Sequence, residues 1–416
     1  MLRARGERVL GWDAGSPNEA GRLLEAGVEV QLDASGDALA AVSEARTLIK
    51  SPGVPQDAPI LALARERGVP IIGELELAWR LLANQFIAVT GTNGKTTTTE
   101  WIGHIHREAG VPVAVAGNVG TAASSLVGHV PPETAVVCET SSFQLEDASA
   151  FAPEAAVLLN LSPDHLDRHG SYENYVAAKL RIFANQGDHD IAVAPADLGI
   201  EDLGGCARRV YFGDSPDAEI SARAGHLWWQ DRALLDFDEL ALPGAHNRQN
   251  AMAAAAVTLA RGLEPEGVAE GLRSFRGVPH RLELVETVDG VAYVNDSKAT
   301  NVASTLVALQ AYPGGIHLIA GGRGKQQDFT PLAPLVAERC SAVYLIGEAS
   351  HELAKALAPT GVPVHQVEKL EAAVSRAGQA AKPGEVVLLA PACASYDQYP
   401  DFEARGEHFR SLVVQG

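Results

Sequence analysis

Cysteine is scarce. The 416 residues contain four (Cys138, Cys206, Cys340 and Cys393), scattered and without a CxxC pair. That argues against a disulfide framework or a zinc site and fits a reducing cytoplasm. Aromatic residues make up only 6% of the chain. No apolar run reaches the length of a membrane span, and the N-terminus has no signal-peptide pattern, so membrane insertion is not expected. Basic residues are outnumbered: 33 Lys and Arg against 52 Asp and Glu give a formal net charge of −19. A field of that sign repels nucleic acid and anionic membrane, so neither is an expected partner. A phosphate ligand must then be held by local means: helix N-termini, single Lys or Arg side chains and metal ions.

What is present is a regular alternation. The length exceeds one ordinary core and predicts two or three domains. Short apolar runs such as RTLIKSPG, FIAVTGTNG, TAVVCETSS, AAVLLNLSPDH, DIAVAPAD, GGIHLIAGGRG, SAVYLIGE and GEVVLLAPACAS read as strands that end in polar or glycine loops. Amphipathic segments of helix length, such as TTTEWIGHIHREAG and FTPLAPLVAERC, lie between many of them. This predicts an α/β protein with parallel sheets covered by helices, its ligands beyond the carboxyl ends of the strands. Breaks are expected near Ala83–Gln85 and Gly277–Pro279. The irregular, charged segment Gly213–Glu239 reads as a surface insertion. MLRARGERVLGWDAG reads as a helix leading into a strand.

The stretch VTGTNGKTTTTE at Val89–Glu100 is a glycine turn between an apolar run and a helix. Backbone N–H groups of Gly91, Thr92, Asn93 and Gly94 and of the helix start would face nucleotide phosphates, with Lys95 as a point charge. Thr96 would offer its hydroxyl to Mg²⁺, and Thr97 continues the helix start. The common phosphate-loop signature has a glycine where Val89 stands, so GTNGKT is a short variant. The alternative is a tight turn with an exposed lysine. Glu139 leaves another strand beside this loop and is a candidate metal ligand, or a solvated acid. NLSPDHLDRH ends the next strand with Asp164, His165, Asp167 and Arg168. In SYENYVAAKLRIF, Tyr172, Val176, Lys179 and Phe183 share one helical face that is otherwise apolar. A lysine there must snorkel, find an anion or change its chemistry, and periodicity alone favours snorkelling. Asn247 and Asn250 sit one turn apart at a helix start, as caps or as contacts to a nucleoside.

In order along the chain, GTNGKTT, ETSSFQL, NLSPDHLDRHGS, the lysine of AAKLRIF, HNRQNAMAA and NDSKATN resemble the ATP-dependent Mur ligases. SPGVP (Ser51–Pro55), GVPHRLE (Gly277–Glu283), GGRGKQQDF (Gly321–Phe329) and PACASYDQYPDFEARGEHF (Pro391–Phe409) resemble the branch of that family that adds D-glutamate. The resemblance implies three α/β domains. Residues 1–84 would be a Rossmann-like domain for the UDP-linked substrate without the family's first strand and glycine turn, either because this domain is reduced or because the natural start lies upstream. Residues 85–277 would form the phosphate-loop ATPase domain with a mainly parallel sheet, and residues 278–416 a Rossmann-like domain for the amino acid.

The same resemblance implies roles. Lys95 and the glycine turn would hold the ATP phosphates. Thr96 and Glu139 would take one Mg²⁺, assisted by Ser141, which is also assigned to the substrate. His165 and a carbamylated Lys179 would take a second. Asn247, Asn250, Arg281 and Asp296 would reach the adenosine and γ-phosphate. Gly53 and Asn118 would contact the UDP-muramoyl substrate. Thr300, Lys325, Ser395 and Phe402, with the backbone of Tyr396, would hold D-glutamate. The implied reaction is ATP-dependent ligation of D-glutamate to UDP-N-acetylmuramoyl-L-alanine through an acyl phosphate, by a cytoplasmic monomer in peptidoglycan precursor synthesis. The alternatives are a sister Mur ligase, a folylpolyglutamate synthase-like ligase, or a non-catalytic phosphate-loop protein. PACASYDQY and GVPHR speak against the first two.

Overall fold

The computed structural model describes residues 1–13, 20–31, 42, 44–118, 120–215, 218–242, 244–324 and 327–415. The chain divides into two compact units, Met1–Phe275 and Arg276–Gly416.

In the first unit, two small parallel pairs come first. They are β1 (Leu10–Trp12) with β2 (Glu29–Gln31), and β3 (Leu48–Lys50) with β4 (Ile71–Gly73). The expected N-terminal helix is a single 3₁₀ turn, Arg3–Arg5, stopped by the left-handed Gly6. Three residues before a glycine leave no room for an α-helix to propagate.

The main sheet of this unit has nine strands. They are β5 (Phe86–Thr90), β6 (Val113–Gly117), β7 (Ala135–Glu139), β8 (Ala155–Leu158), β9 (Ile191–Pro195), β10 (Arg208–Gly213), β11 (Ile220–Arg223), β12 (His226–Trp229) and β13 (Arg232–Asp236). Their spatial order is β13-β12-β11-β10-β9-β8-β5-β7-β6. Every residue of β5, β8 and β9 is buried, which is why these strands read as unbroken apolar runs. The phosphate-loop helix Lys95–Glu108 buries Trp101, Ile102 and Ile105. Strand β5 lies between β7 and β8, so the strand order reverses there. Such a reversal opens a crevice at the carboxyl ends of the strands.

The segment Gly213–Glu239 is not a surface insertion. Strand β11 pairs parallel to β10, and β12 and β13 continue the sheet antiparallel. Leu227, Leu234, Leu235 and Phe237 are buried. The strands are short, and positive φ falls on Ala224 and Gln230 at the turns, so the usual Asn-Gly or Asp-Gly marker is absent.

The second unit carries β14 (Glu283–Val288), β15 (Val291–Asn295), β16 (Ile316–Gly321), β17 (Cys340–Ile346), β18 (Val364–Glu368) and β19 (Val386–Leu389), in the order β14-β15-β19-β16-β17-β18. Only β14 runs antiparallel to its neighbour. One apolar cluster includes Leu318, Leu332, Leu345 and Leu353; another joins Ile319, Tyr344, Leu370, Val387 and Phe409. Strands β16 and β19 send side chains to both clusters, as a doubly covered sheet requires. The architecture is α/β with mainly parallel sheets.

Candidate active site

Strand β5 delivers the chain into the turn Gly91–Gly94, and the helix begins at Lys95 without a side-chain cap. The N-terminal end of a helix carries partial positive charge, which suits an anion beside the turn. Gly94 is left-handed (φ 82), and a Cβ there would lie 2.3 Å from Asn250 Oδ1. Only glycine fits, because the Asn250 amide is pressed against the turn. Asn250, which is buried, also donates to Asn247 Oδ1 at 3.3 Å.

The turn is braced from β8 and the loop after it. Thr92 N donates to Asn160 O at 3.1 Å, Asn93 N to Asn160 Oδ1 at 2.9 Å, and Asn160 Nδ2 returns to Asn93 O at 3.1 Å. Thr92 Oγ1 meets Tyr175 OH at 2.9 Å and accepts from Ser162 N at 3.0 Å. Asn160 and Tyr175 were not singled out from sequence, although "LLN" at a strand end offered a signal for Asn160. Lys95 Nζ donates to Gly91 O and Thr92 O at 3.0 and 2.8 Å, folded over its own turn.

Lys179 does not snorkel. It is 2% exposed, and Nζ donates inward to Gly91 O at 2.8 Å and more weakly to Thr90 Oγ1 at 3.5 Å. It also lies 4.8 Å from the Tyr175 ring centroid. The helix is Tyr172–Leu180, so Phe183 falls in the turn beyond it, and Tyr175 and Ala178 are the residues buried with Lys179. Burial, and secondarily the charge of Lys95, push the ammonium down to about 7. A fraction of the side chain is therefore a neutral amine near neutral pH.

Glu139 is buried at the end of β7. Its Oε2 accepts from Thr96 Oγ1 at 2.7 Å and its Oε1 from Asn118 Nδ2 at 3.0 Å. Thr96 and Glu139, both assigned to the metal, thus already touch. The Asn118 side chain faces Glu139. Ser141 caps the next short helix, Ser142–Glu146, in a reciprocal box with Gln144. His165 is left-handed (φ 49) and half-exposed, with its ring 4.8 Å from Phe143 and 3.5 Å from Asp164. Among the described residues, no group of three or more His, Cys, Asp and Glu could hold a metal alone. The Thr96 hydroxyl and the Glu139 carboxylate are oxygen donors of the kind Mg²⁺ takes, one or two carboxylates together with substrate phosphates and water. Gly53 lies in the exposed loop after β3.

In the second unit the assigned residues gather at the carboxyl ends of strands. Asp296 follows β15 and is buried; burial raises its carboxyl to about 6, against the Leu282 N–H and the charges of Arg281 and Lys298. Thr300 lies on the same loop, where its N–H donates to Lys298 O at 2.8 Å. Ser395 is buried beyond β19, and Tyr396 is exposed. Phe402 opens the last helix; its ring lies 6.2 Å from that of His280 and 5.8 Å from Lys298 Nζ. Lys325 lies outside the described residues. Arg405, missed in the sequence, joins these loops. Buried, it donates to Ser297 Oγ and Ser297 O, each at 2.9 Å, and to Cys393 O at 3.2 Å. Arg281 and Asp296 belong to the second unit, Asn247 and Asn250 to the first.

Residues 89–258 match the Mur ligase middle domain, and residues 280–393 match the Mur ligase glutamate ligase domain. The UDP-N-acetylmuramoylalanine--D-glutamate ligase of Acidobacterium capsulatum is 43% identical over all of this chain and 92% of its own length. The ligase of the same name from Koribacter versatilis is 42% identical over 99% of this chain and 93% of its own. Among solved structures, UDP-N-acetylmuramate-alanine ligase of Thermotoga maritima superposes with a TM-score of 0.55 at 22% identity, covering 100% of this chain and 95% of that one, which supports the fold. With both domain models matched in order and relatives aligned over its full length, the chain belongs to the Mur ligase family.

Proposed function

We propose that this chain joins D-glutamate to UDP-N-acetylmuramoyl-L-alanine, converting ATP to ADP and phosphate. The observation that carries the reading is the convergence of Lys95 and Lys179 on one glycine turn at the strand-order reversal, with Thr96 on the helix that follows the turn bonded to Glu139. The names of the full-length relatives support the choice of substrates. The three-part division at residues 84 and 277 belongs to this reading, with the first part for the UDP-linked substrate, the second for ATP and the third for the amino acid.

A carboxylate is a poor acyl donor, because oxide would have to leave. An oxygen of the L-alanyl carboxylate attacks the γ-phosphorus, ADP leaves, and an acyl phosphate forms. The neutral amine of D-glutamate then attacks the acyl carbon. Phosphate departs with the former carboxylate oxygen, and the amine proton passes to a base.

The chain's own groups serve these steps. Lys95 and the backbone at Gly94 and the helix start hold the phosphates and draw charge from the oxygens, whereas Thr92 N and Asn93 N, expected to face the phosphates, donate to Asn160 and brace the turn instead. Thr96 and Glu139 would hold one Mg²⁺; His165 and Lys179, as its carbamate, would hold a second. Such ions would screen two anions that must meet and would stabilise the charge that builds as they react. Carbamylation joins neutral Nζ to CO₂ with loss of a proton, which turns a buried cation into an anionic ligand. Asn247, Asn250, Arg281 and Asp296 bind the nucleotide. Gly53 contacts the UDP-muramoyl moiety, as Asn118 and Ser141 do at the loops beside Glu139. Thr300, Lys325, Ser395, Tyr396 and Phe402 receive D-glutamate. The chain acts as a monomer in the cytoplasm.

The test is phosphate release from ATP with UDP-N-acetylmuramoyl-L-alanine and single amino acids. D-glutamate should support release, whereas L-alanine, meso-diaminopimelate and L-lysine should not. Release with one of the others and none with D-glutamate would refute the acceptor assignment.

A further inference from the structure

Strand β3 ends at Lys50, and the loop Ser51–Pro55 follows it. The tip of this loop is open: Gly53 is exposed, and nothing lies within 4 Å of a Cβ built there. Both ends are tied to one carboxylate. Lys50, fully buried at its side chain, donates to Asp147 Oδ2 at 2.5 Å. Gln56, on the far side of the loop, donates to Asp147 Oδ1 at 2.8 Å.

The backbone adds a third tie. Gly73 is the register partner of Lys50, and its N–H donates to Asp147 O at 3.1 Å. A Cβ at Gly73 would stand 3.0 Å from Asp147 Cβ, so the two segments pass close together there. The residues after Asp147 are held as well. Buried Glu76 accepts from the N–H groups of Ser149 and Ala150 and from Ser149 Oγ, and pairs with Arg80. Burial pushes the Glu76 carboxyl up, but these donors outweigh it and hold the group below its ordinary value.

Asp147 closes the helix Ser142–Glu146, whose cap Ser141 stands two residues after Glu139. The C-terminal end of a helix carries partial negative charge, so local electrostatics do not favour an acid there. Its long-range partners account for it. We propose that Asp147 is a positioning residue that fixes the Ser51–Pro55 loop, the recognition loop for the UDP-linked substrate, against the strand–helix unit carrying Glu139. This rests on the assignment of Gly53 to that substrate.

Kinetics on four full-length variants test it. Gln56→Ala loosens one end of the loop and leaves the buried pair intact. Asp147→Asn removes the charge that Lys50 needs. Lys50→Met/Asp147→Leu replaces both charges with apolar groups, which restores stability where a broken pair would not. Gly53→Asp alters the tip without touching the anchor. Small displacements of a binding loop are costly, so KM for UDP-N-acetylmuramoyl-L-alanine should rise at least about tenfold in Asp147→Asn and about threefold in Gln56→Ala. KM for ATP and for D-glutamate should hold within about twofold. The double variant should melt near the wild-type temperature yet keep the raised KM. A double variant with KM restored, equal increases in all three KM values, or an unchanged KM in Gln56→Ala would each overturn the anchor. If Gly53→Asp raises KM and neither anchor variant does, the anchor fails alone. If Gly53→Asp has no effect, the assignment of the loop to this substrate fails instead.

Discussion

Burial and the nearby charge of Lys95 bring the Lys179 ammonium to about 7, where an exposed lysine would keep its proton. Its helical spacing was readable in the sequence. Its endpoint was not, because the carbonyl it reaches, Gly91 O, is 88 residues away. Lys179→Ala and Lys179→Arg should both lower turnover at least about a hundredfold while the fold persists. Formate or acetate should restore part of the activity of Lys179→Ala by standing where the carbamate oxygens would be. Full activity in Lys179→Arg would reduce the residue to a cation. Asp296 gives a pH test. Its carboxyl is raised to about 6 by burial, so between the unfolded value near 3.8 and about 6 the native state binds more protons than the unfolded state. Its stabilising share is thus present below that window and lost as pH rises through it. Asp296→Asn should gain stability relative to the wild type between pH 4 and pH 8, measured by denaturant unfolding of the full chain. An equal difference at both pH values would contradict the burial argument.

At the scale of elements, the turn and its helix are one device. A side chain at Gly94 would meet Asn250 Oδ1 at 2.3 Å, on a backbone that is left-handed. The strain of an L-residue there is about 1–2 kcal/mol before the clash. Gly94→Ala should therefore weaken ATP binding strongly in equilibrium titration, and removing the clash with Asn250→Ala in the same chain should not restore it, because both residues serve the nucleotide. Restored binding would leave Asn250 a steric neighbour only. Strands β5, β7, β8, β16 and β17 were legible because burial on both faces demands unbroken apolar runs. Strands β11 to β13 were not, since Arg223, His226 and Arg232 break the pattern. Leu227→Ala, at a fully buried position, should cost about 2–5 kcal/mol in unfolding experiments and leave KM for ATP unchanged. A loss below about 1 kcal/mol would mean that this edge is not part of the packed sheet.

The whole molecule shows where sequence reading stops. Motifs at strand ends marked the chemistry, because glycine turns, acids and a lysine on an apolar face have few bland uses together. Ties between distant segments left no local trace. Lys50 and Asp147 are 97 residues apart, and Arg405 reaches Ser297 across 108. Among the described residues, no helix is long and apolar enough to cross a membrane. The central claim is that ATP at the Gly91–Gly94 turn activates a carboxylate for attack by D-glutamate. It is tested most directly with UDP-N-acetylmuramoyl-L-alanine labelled with ¹⁸O in both carboxylate oxygens. Activation through an acyl phosphate predicts one ¹⁸O in each phosphate released and a product heavier by one glutamyl residue. Unlabelled phosphate alongside amide product would contradict the account.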